Sequence, residues 1–151
     1  MKNQKKYSAL FFSVFLVTLL SLNSCRDISH EPAGITANLF TIKYGDYVYL
    51  DNMGLSIQFL DLLDDSRCAK NAICVWAGRA DLKLSVSVSG KNQSIITLRI
   101  DGYVKESDTN AHITLDTLGY KFTLMNLDPY PDVNVKRDLS QYSALISITK
   151  K

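Results

Sequence analysis

Between residues 81 and 89 the chain reads Asp81-Leu82-Lys83-Leu84-Ser85-Val86-Ser87-Val88-Ser89, with apolar and polar side chains in strict alternation. Successive side chains of an extended strand point to opposite faces. Period two therefore puts Leu82, Leu84, Val86 and Val88 on one face of a half-buried strand. Gly90-Lys91-Asn92 follows as a turn signal, and residues 94–100 then place Ile96, Leu98 and Ile100 on a shared face. The two runs read as a β-hairpin.

Outward from this hairpin, similar short runs occupy 44–50, 55–63, 112–117, 120–127 and 142–149, with breaks at Asn52-Met53-Gly54 and Leu118-Gly119. From residue 40 onward no segment keeps a 3.6-residue apolar period for three turns, and no internal repeat or low-complexity tract occurs. About seven short strands with frequent turns specify an all-β protein. The expected form is a compact antiparallel β-sandwich with immunoglobulin-like Greek key order, or else a small barrel.

The N-terminus carries a different message. Lys2, Lys5 and Lys6 form a basic segment with no acid beside it, and residues 9–22 are uncharged and rich in Phe, Leu and Val. That apolar run has the length of a secretory signal core and is short against the ~20 residues that span a bilayer. Leu22-Asn23-Ser24-Cys25 then resembles the lipobox of bacterial lipoproteins. The resemblance implies a signal peptide over 1–24 and acylation of Cys25, which would hold the protein to a membrane through its lipid chains. Arg26 follows the cysteine where the lipobox pattern has Asp in proteins kept at the inner membrane, which points to the outer membrane and a cell-envelope location. Residues 25–38 read as lipidated Cys and polar tether, and 39–151 as the folded domain.

Charge has to be read after that division. The whole chain has 17 Lys and Arg against 15 Asp and Glu, a formal charge of +2. Removing 1–24 takes three lysines and no acid, leaving 14 against 15 and a charge of −1. Neither value favours a nucleic-acid partner.

The segment after the second run is Asp64-Asp65-Ser66-Arg67-Cys68-Ala69-Lys70-Asn71-Ala72-Ile73-Cys74-Val75-Trp76-Ala77-Gly78. With Cys25 assigned to lipid, Cys68 and Cys74 are the remaining thiols, six apart in a protein expected outside the cytosol, where disulfides persist. A bridge closing so short a loop contributes ~2–3 kcal/mol and fixes loop shape more than it holds the fold. Trp76 is placed to cover the bridge and the sheet end. Asp64 or Asp65 is expected to pair with Arg67 in solvent, worth ~0–1 kcal/mol.

The string D-S-R-C-x5-C-V-W-A-G resembles the signature of small, mostly uncharacterised bacterial envelope and secreted proteins. Their pattern is D-S-R-C-P-x4-C-x-W-A-G, with an L-x-P-Y-P-like segment near the end and a final strand beginning around a Tyr. Here those later features are Leu127-Asp128-Pro129-Tyr130-Pro131 and Gln141-Tyr142-Ser143-Ala144-Leu145, so the likeness covers roughly 45–150. Ala69 departs from it, standing where the pattern has Pro. The resemblance implies envelope location, a disulfide and a compact β-fold, and no activity, substrate or cofactor.

No catalytic constellation is expected. The histidines are His30, in the tether, and His112, at the start of a run. No Gly-x-Ser-x-Gly elbow, Cys-x-x-Cys, closely spaced His pair or Gly-rich phosphate loop occurs, so no metal or cofactor is expected. The acids Asp61, Asp64 and Asp65 lack the ligand pattern of an EF-hand. Tyr47 and Tyr49 share one face of their run and offer a stacking surface for sugars if Val48 and Leu50 face the core. With Arg67, Trp76 and Tyr130 they make up the candidate binding surface. The expected function is a non-catalytic, lipid-anchored module that binds a protein or glycan partner. Alternatives are a structural envelope lipoprotein without a ligand, or an inhibitor or accessory subunit of an envelope enzyme. An exposed apolar or aromatic patch beside the Cys68–Cys74 loop separates the module from a purely structural protein, which would be uniformly polar.

Overall fold

A computed structural model describes residues 38–91, 93–108 and 110–151. The expected signal segment, Cys25, His30 and nearly all of the tether lie outside the described residues. Among these residues eight strands form two antiparallel sheets. The first has the order β1 (Asn38–Lys43), β8 (Ser143–Lys150), β7 (Tyr120–Asp128), β6 (Thr114–Thr117); the second has β2 (Tyr47–Leu50), β3 (Leu55–Asp65), β4 (Arg79–Val88), β5 (Ser94–Asp101). The sheets pack face to face as a β-sandwich, and no strand of one is hydrogen-bonded into the other, so no barrel closes.

The alternating run that specified the fold is β4, at the interior of its sheet. Leu82, Leu84 and Val86 are fully buried, and Val88 packs at the edge of the same cluster. On β3 they stand opposite Leu62, Phe59 and Ile57; on β5, Leu82 and Leu84 face Leu98 and Ile96. The other half of the core comes from Phe122, Leu124 and Leu127 of β7 and from Ala144, Ile146 and Ile148 of β8. Inward-facing residues of two sheets meeting in one layer is the packing a sandwich requires.

Two expectations about strands are corrected. The strand order is not a Greek key: every hydrogen-bonded neighbour is consecutive in the chain except β1 with β8. The run expected over 44–50 is shorter as a strand, because Gly45, at φ +82°, turns the chain after β1 and only Tyr47–Leu50 is extended and paired. β1 itself was absent from the expected strands. It buries only Ile42 fully and is held by backbone pairing along the edge of β8, so its side chains carry little periodic signal.

Register places the two ends of the sandwich. Asn38 faces Ile148 at one end, where the Asn38 carboxamide also accepts from Asn52. The Tyr142 hydroxyl meets Asp65 at the other. Six residues of extended chain, ~20 Å, separate Ile148 from Tyr142.

Candidate functional site

The end of the sandwich remote from Asn38 is built around Arg67. In β3 strict alternation would put Asp61 and Leu63 in the core, but register shifts between Phe59 and Asp61 and between Leu62 and Asp64 change the phase twice. Leu62 then faces Leu82, Asp61 pairs outward with Lys83, and Asp65 returns to the inside opposite Ala80. β-Bulges re-aim side chains in this way.

Asp65 and Arg67 meet there, both buried. The guanidinium grips the carboxylate with Nε at 2.8 Å from Oδ1 and Nη2 at 2.9 Å from Oδ2. Its Nη1 donates to the Leu127 carbonyl at 2.7 Å and Nη2 to the Pro129 carbonyl at 3.3 Å. The Tyr142 hydroxyl donates to Asp65 Oδ2 at 2.9 Å, and the guanidinium carbon lies 4.7 Å from the Tyr130 ring centre. The Asp65–Arg67 pair thus ties the end of β3, the end of β7 and the residue before β8 together. The solvated pairing expected for Arg67 is corrected to a buried one, and at 3% exposure Arg67 does not belong to a binding surface.

Burial first, and then the hydrogen bond to anionic Asp65, push the Tyr142 hydroxyl up to about 12. The unfolded chain ionises a tyrosine near 10. The folded state therefore holds this proton more tightly, and its contribution is complete below pH ~10 and lost as pH rises toward 12. Alkaline titration of unfolding should show stability falling across that window by on the order of 2 kcal/mol, and Tyr142→Phe should remove the fall.

Above this base the chain forms a pinned loop. Ser66 N–H donates to the Arg79 carbonyl at 2.7 Å and Cys68 N–H to the Ala77 carbonyl at 2.8 Å, extending the β3–β4 pairing into its neck. Cys68 and Cys74 form a disulfide, with their Cα atoms 6.0 Å apart. Lys70 N–H donates to the Pro131 carbonyl at 2.9 Å and the Asn71 amide to Asp132 at 3.1 Å, seating the loop on its neighbour. What the bridge presents outward is apolar. Ile73 is fully exposed, Val75 is 92% exposed and Trp76 is 77% exposed. The expectation that Trp76 covers the bridge is corrected: the sheet end is closed by Arg67 and Tyr130, which leaves the indole to solvent. Val133 and Val135 of the neighbouring loop are exposed as well. Cys68→Ser with Cys74→Ser should cost ~2 kcal/mol in urea unfolding and should raise hydrogen exchange in 69–77 more than in the strands.

The remaining candidates separate from this end. Val48 and Leu50 pack on the core, so Tyr47 and Tyr49 face solvent, at 62% and 52% exposure. They stand opposite Gln58 and Ser56, seven or more residues back along β3 from Asp65, ~25 Å of strand. The tyrosine face and the pinned loop are therefore two surfaces. Tyr44 is packing, edge-on to Phe59 at 5.5 Å between ring centres. Tyr130 is half-buried, and its hydroxyl accepts from Tyr103 N–H at 3.2 Å.

His112 is buried, with Nδ1 2.9 Å from the Leu124 carbonyl and Nε2 3.1 Å from that of Lys105, and so clamps the preceding loop to β7. Among the described residues no group of three or more His, Cys, Asp or Glu could hold a metal ion. The exposed Ile73 and Val75 carried no sequence signal of their own, since isolated apolar residues in a loop read as ordinary packing. No protein-family model, curated protein or solved structure matches the chain.

Proposed function

We propose that this protein is a lipid-anchored cell-envelope binding module, attached through Cys25, whose working surface is the disulfide-pinned loop. The observation that carries the reading is the exposure of Ile73, Val75 and Trp76 together on a loop fastened at its neck, at its bridge and to the 129–135 loop. Exposed single apolar residues are ordinary, but three within four positions on a constrained tip are not. Among the described residues the core cluster does not include them. A rigid tip also binds at lower entropic cost than a mobile one, and tryptophan is prominent among residues that dominate interfaces.

The reading has no place for catalysis. The buried charged groups at this end are committed to each other, and Cys68 and Cys74 are bonded. A purely structural envelope protein is the weaker alternative, because it gives no reason to keep a tryptophan and two branched aliphatics in water.

The test compares the full-length chain with Val75→Ser/Trp76→Ser in intact cells. Chemical crosslinking should yield a discrete adduct that the double variant loses by tenfold or more, which corresponds to about 1.4 kcal/mol. The unfolding free energy from urea titration should stay within ~0.5 kcal/mol of the parent, since both side chains are in solvent. An adduct pattern unchanged by the double substitution would remove the tip from the function. Mass spectrometry of the mature chain checks the anchor, with acyl groups expected on Cys25.

A further inference from the structure

We propose that the solvent face of β2, β3 and β4 is a second ligand site, a tyrosine-edged trough that takes a neutral glycan built of glucose-type rings. This site lies apart from the pinned tip and does not depend on it.

Register lays out the trough. Directly opposed residues of neighbouring strands project to the same face of a sheet. Two cross-strand rows therefore stand on the outside of the second sheet: Tyr47, Gln58, Ser85 and Ile95 in one, and Tyr49, Ser56 and Ser87 in the other. Their inward counterparts Val48, Ile57 and Val86 lie in or against the core. Both rows begin with an exposed tyrosine on the edge strand and drop to small residues on β3 and β4.

The far wall is the chain after β4, folded back over the sheet. The Ser87 hydroxyl donates to the Lys91 carbonyl at 2.6 Å. The Gln93 amide donates to the Ser85 hydroxyl and leaves that serine buried on an outward face. Ser89 N–H donates to the Gly54 carbonyl at 2.6 Å, so the turns after β2 and β4 close one end of the trough. From β2 to β4 is two strand spacings, ~10 Å, and the two tyrosines stand ~7 Å apart along β2.

Chemistry selects the occupant. No charged residue stands in either row, and the next outward pair, Asp61 opposite Lys83, is one of each sign. A charged ligand finds no net field to pair with here. A protein partner is a poor match as well. Interface cores are depleted in serine, whereas this floor is Ser56, Gln58 and Ser87, with Gln93 laid over Ser85. A glycan asks for what the trough offers: an aromatic ring to lie against the C–H face of a pyranose, and neutral groups that both donate and accept for its hydroxyls. Gln58 gives one amide N–H to the Gly45 carbonyl at 3.4 Å and keeps its second N–H and its oxygen for a ligand. Rings with every hydroxyl equatorial present the flattest C–H face, which is why the glycan is of the glucose type.

The experiment is saturation-transfer NMR on the full-length chain in a detergent without a sugar headgroup. Cellohexaose, laminarihexaose and maltohexaose are the neutral probes, and hexagalacturonate is the charged one. At least one neutral probe should bind, with transfer strongest at its ring C–H protons. Tyr47→Thr/Tyr49→Thr keeps strand propensity and should weaken that binding about tenfold or more. Tyr47→Phe/Tyr49→Phe keeps the rings and should stay within about threefold of the parent. Val75→Ser/Trp76→Ser should bind as the parent does, which separates this site from the tip. No transfer to any neutral probe, tighter binding of hexagalacturonate, or equal binding by the threonine variant would overturn the glycan site and leave the tip reading untouched. So would a photocrosslink from benzoylphenylalanine at position 47 to a protein in intact cells, which would make this face a protein interface.

Discussion

Replacing Arg67 by alanine is expected to lower the unfolding free energy by ~3–5 kcal/mol, the range for removing one partner of a buried ion pair. The cost comes from what is left behind. Asp65 would be left in the interior without its guanidinium partner, facing only the Tyr142 hydroxyl and the backbone N–H of residue 67, and the Leu127 and Pro129 carbonyls would lose their donor. Arg67→Lys should recover little, because an ammonium cannot hold both carboxylate oxygens and reach two carbonyls from one plane. A combined Asp65→Leu/Arg67→Met/Tyr142→Phe chain should lose much less than Arg67→Ala alone, since it removes the buried charge on both sides. Urea titrations of the three chains decide the matter. A loss below ~1 kcal/mol for Arg67→Ala would mean that the pair is solvated as an ordinary surface contact.

That network also marks where sequence reading stopped. The fold was legible because β4 alternates without a break and sits in the middle of a sheet, where both neighbours reinforce one face. Alternation failed in β3 beyond Phe59. Two bulges there change the phase, and nothing local in Leu60-Asp61-Leu62-Leu63-Asp64-Asp65 announces which residue is left unpaired. The consequence was an Arg67 expected in solvent and found inside.

Strand order was unreadable for another reason. A meander and a Greek key use the same strands and differ in which edges meet, and among the described residues the one non-consecutive pairing, β1 with β8, joins residues 100 to 110 apart. At the site, the cysteine spacing announced a loop and its bridge, but whether Trp76 folds over that bridge depends on what else fills the sheet end. Tyr130 and Arg67 fill it from 4.7 Å apart, contributed by segments about 60 residues apart.

Gly78→Ala is expected to be as damaging as Arg67→Ala, and for a reason that side-chain contacts do not contain. Gly78 sits at φ +67°, and a Cβ there would lie 1.9 Å from the Ser66 carbonyl oxygen and 2.6 Å from its carbon. Both are backbone atoms of the facing neck segment just after β3, so relief requires moving the neck of the loop. A left-handed conformation alone costs alanine ~1 kcal/mol or more, and the clash adds several times that. Gly119→Ala provides the control, since Gly119 has φ +79° but no atom within 4 Å of a Cβ. It should cost ~1 kcal/mol, against ~3–5 kcal/mol for Gly78→Ala, a fall in Tm of more than ~10 °C.

Gly102 repeats the experiment from the facing segment. Its N–H donates to the Gly78 carbonyl at 2.8 Å, and a Cβ on it would lie 2.0 Å from the Ala77 carbonyl oxygen. Two glycines thus let three backbones close to contact distance beneath Trp76. If either alanine variant still folds, the strain must be released by displacing Ala77 and the tip it supports. Such a variant should lose the crosslinked adduct even at temperatures where its strands remain folded, whereas Gly119→Ala should keep it. Equal adduct yields from all three would mean that the tip binds without being held in place by its neck.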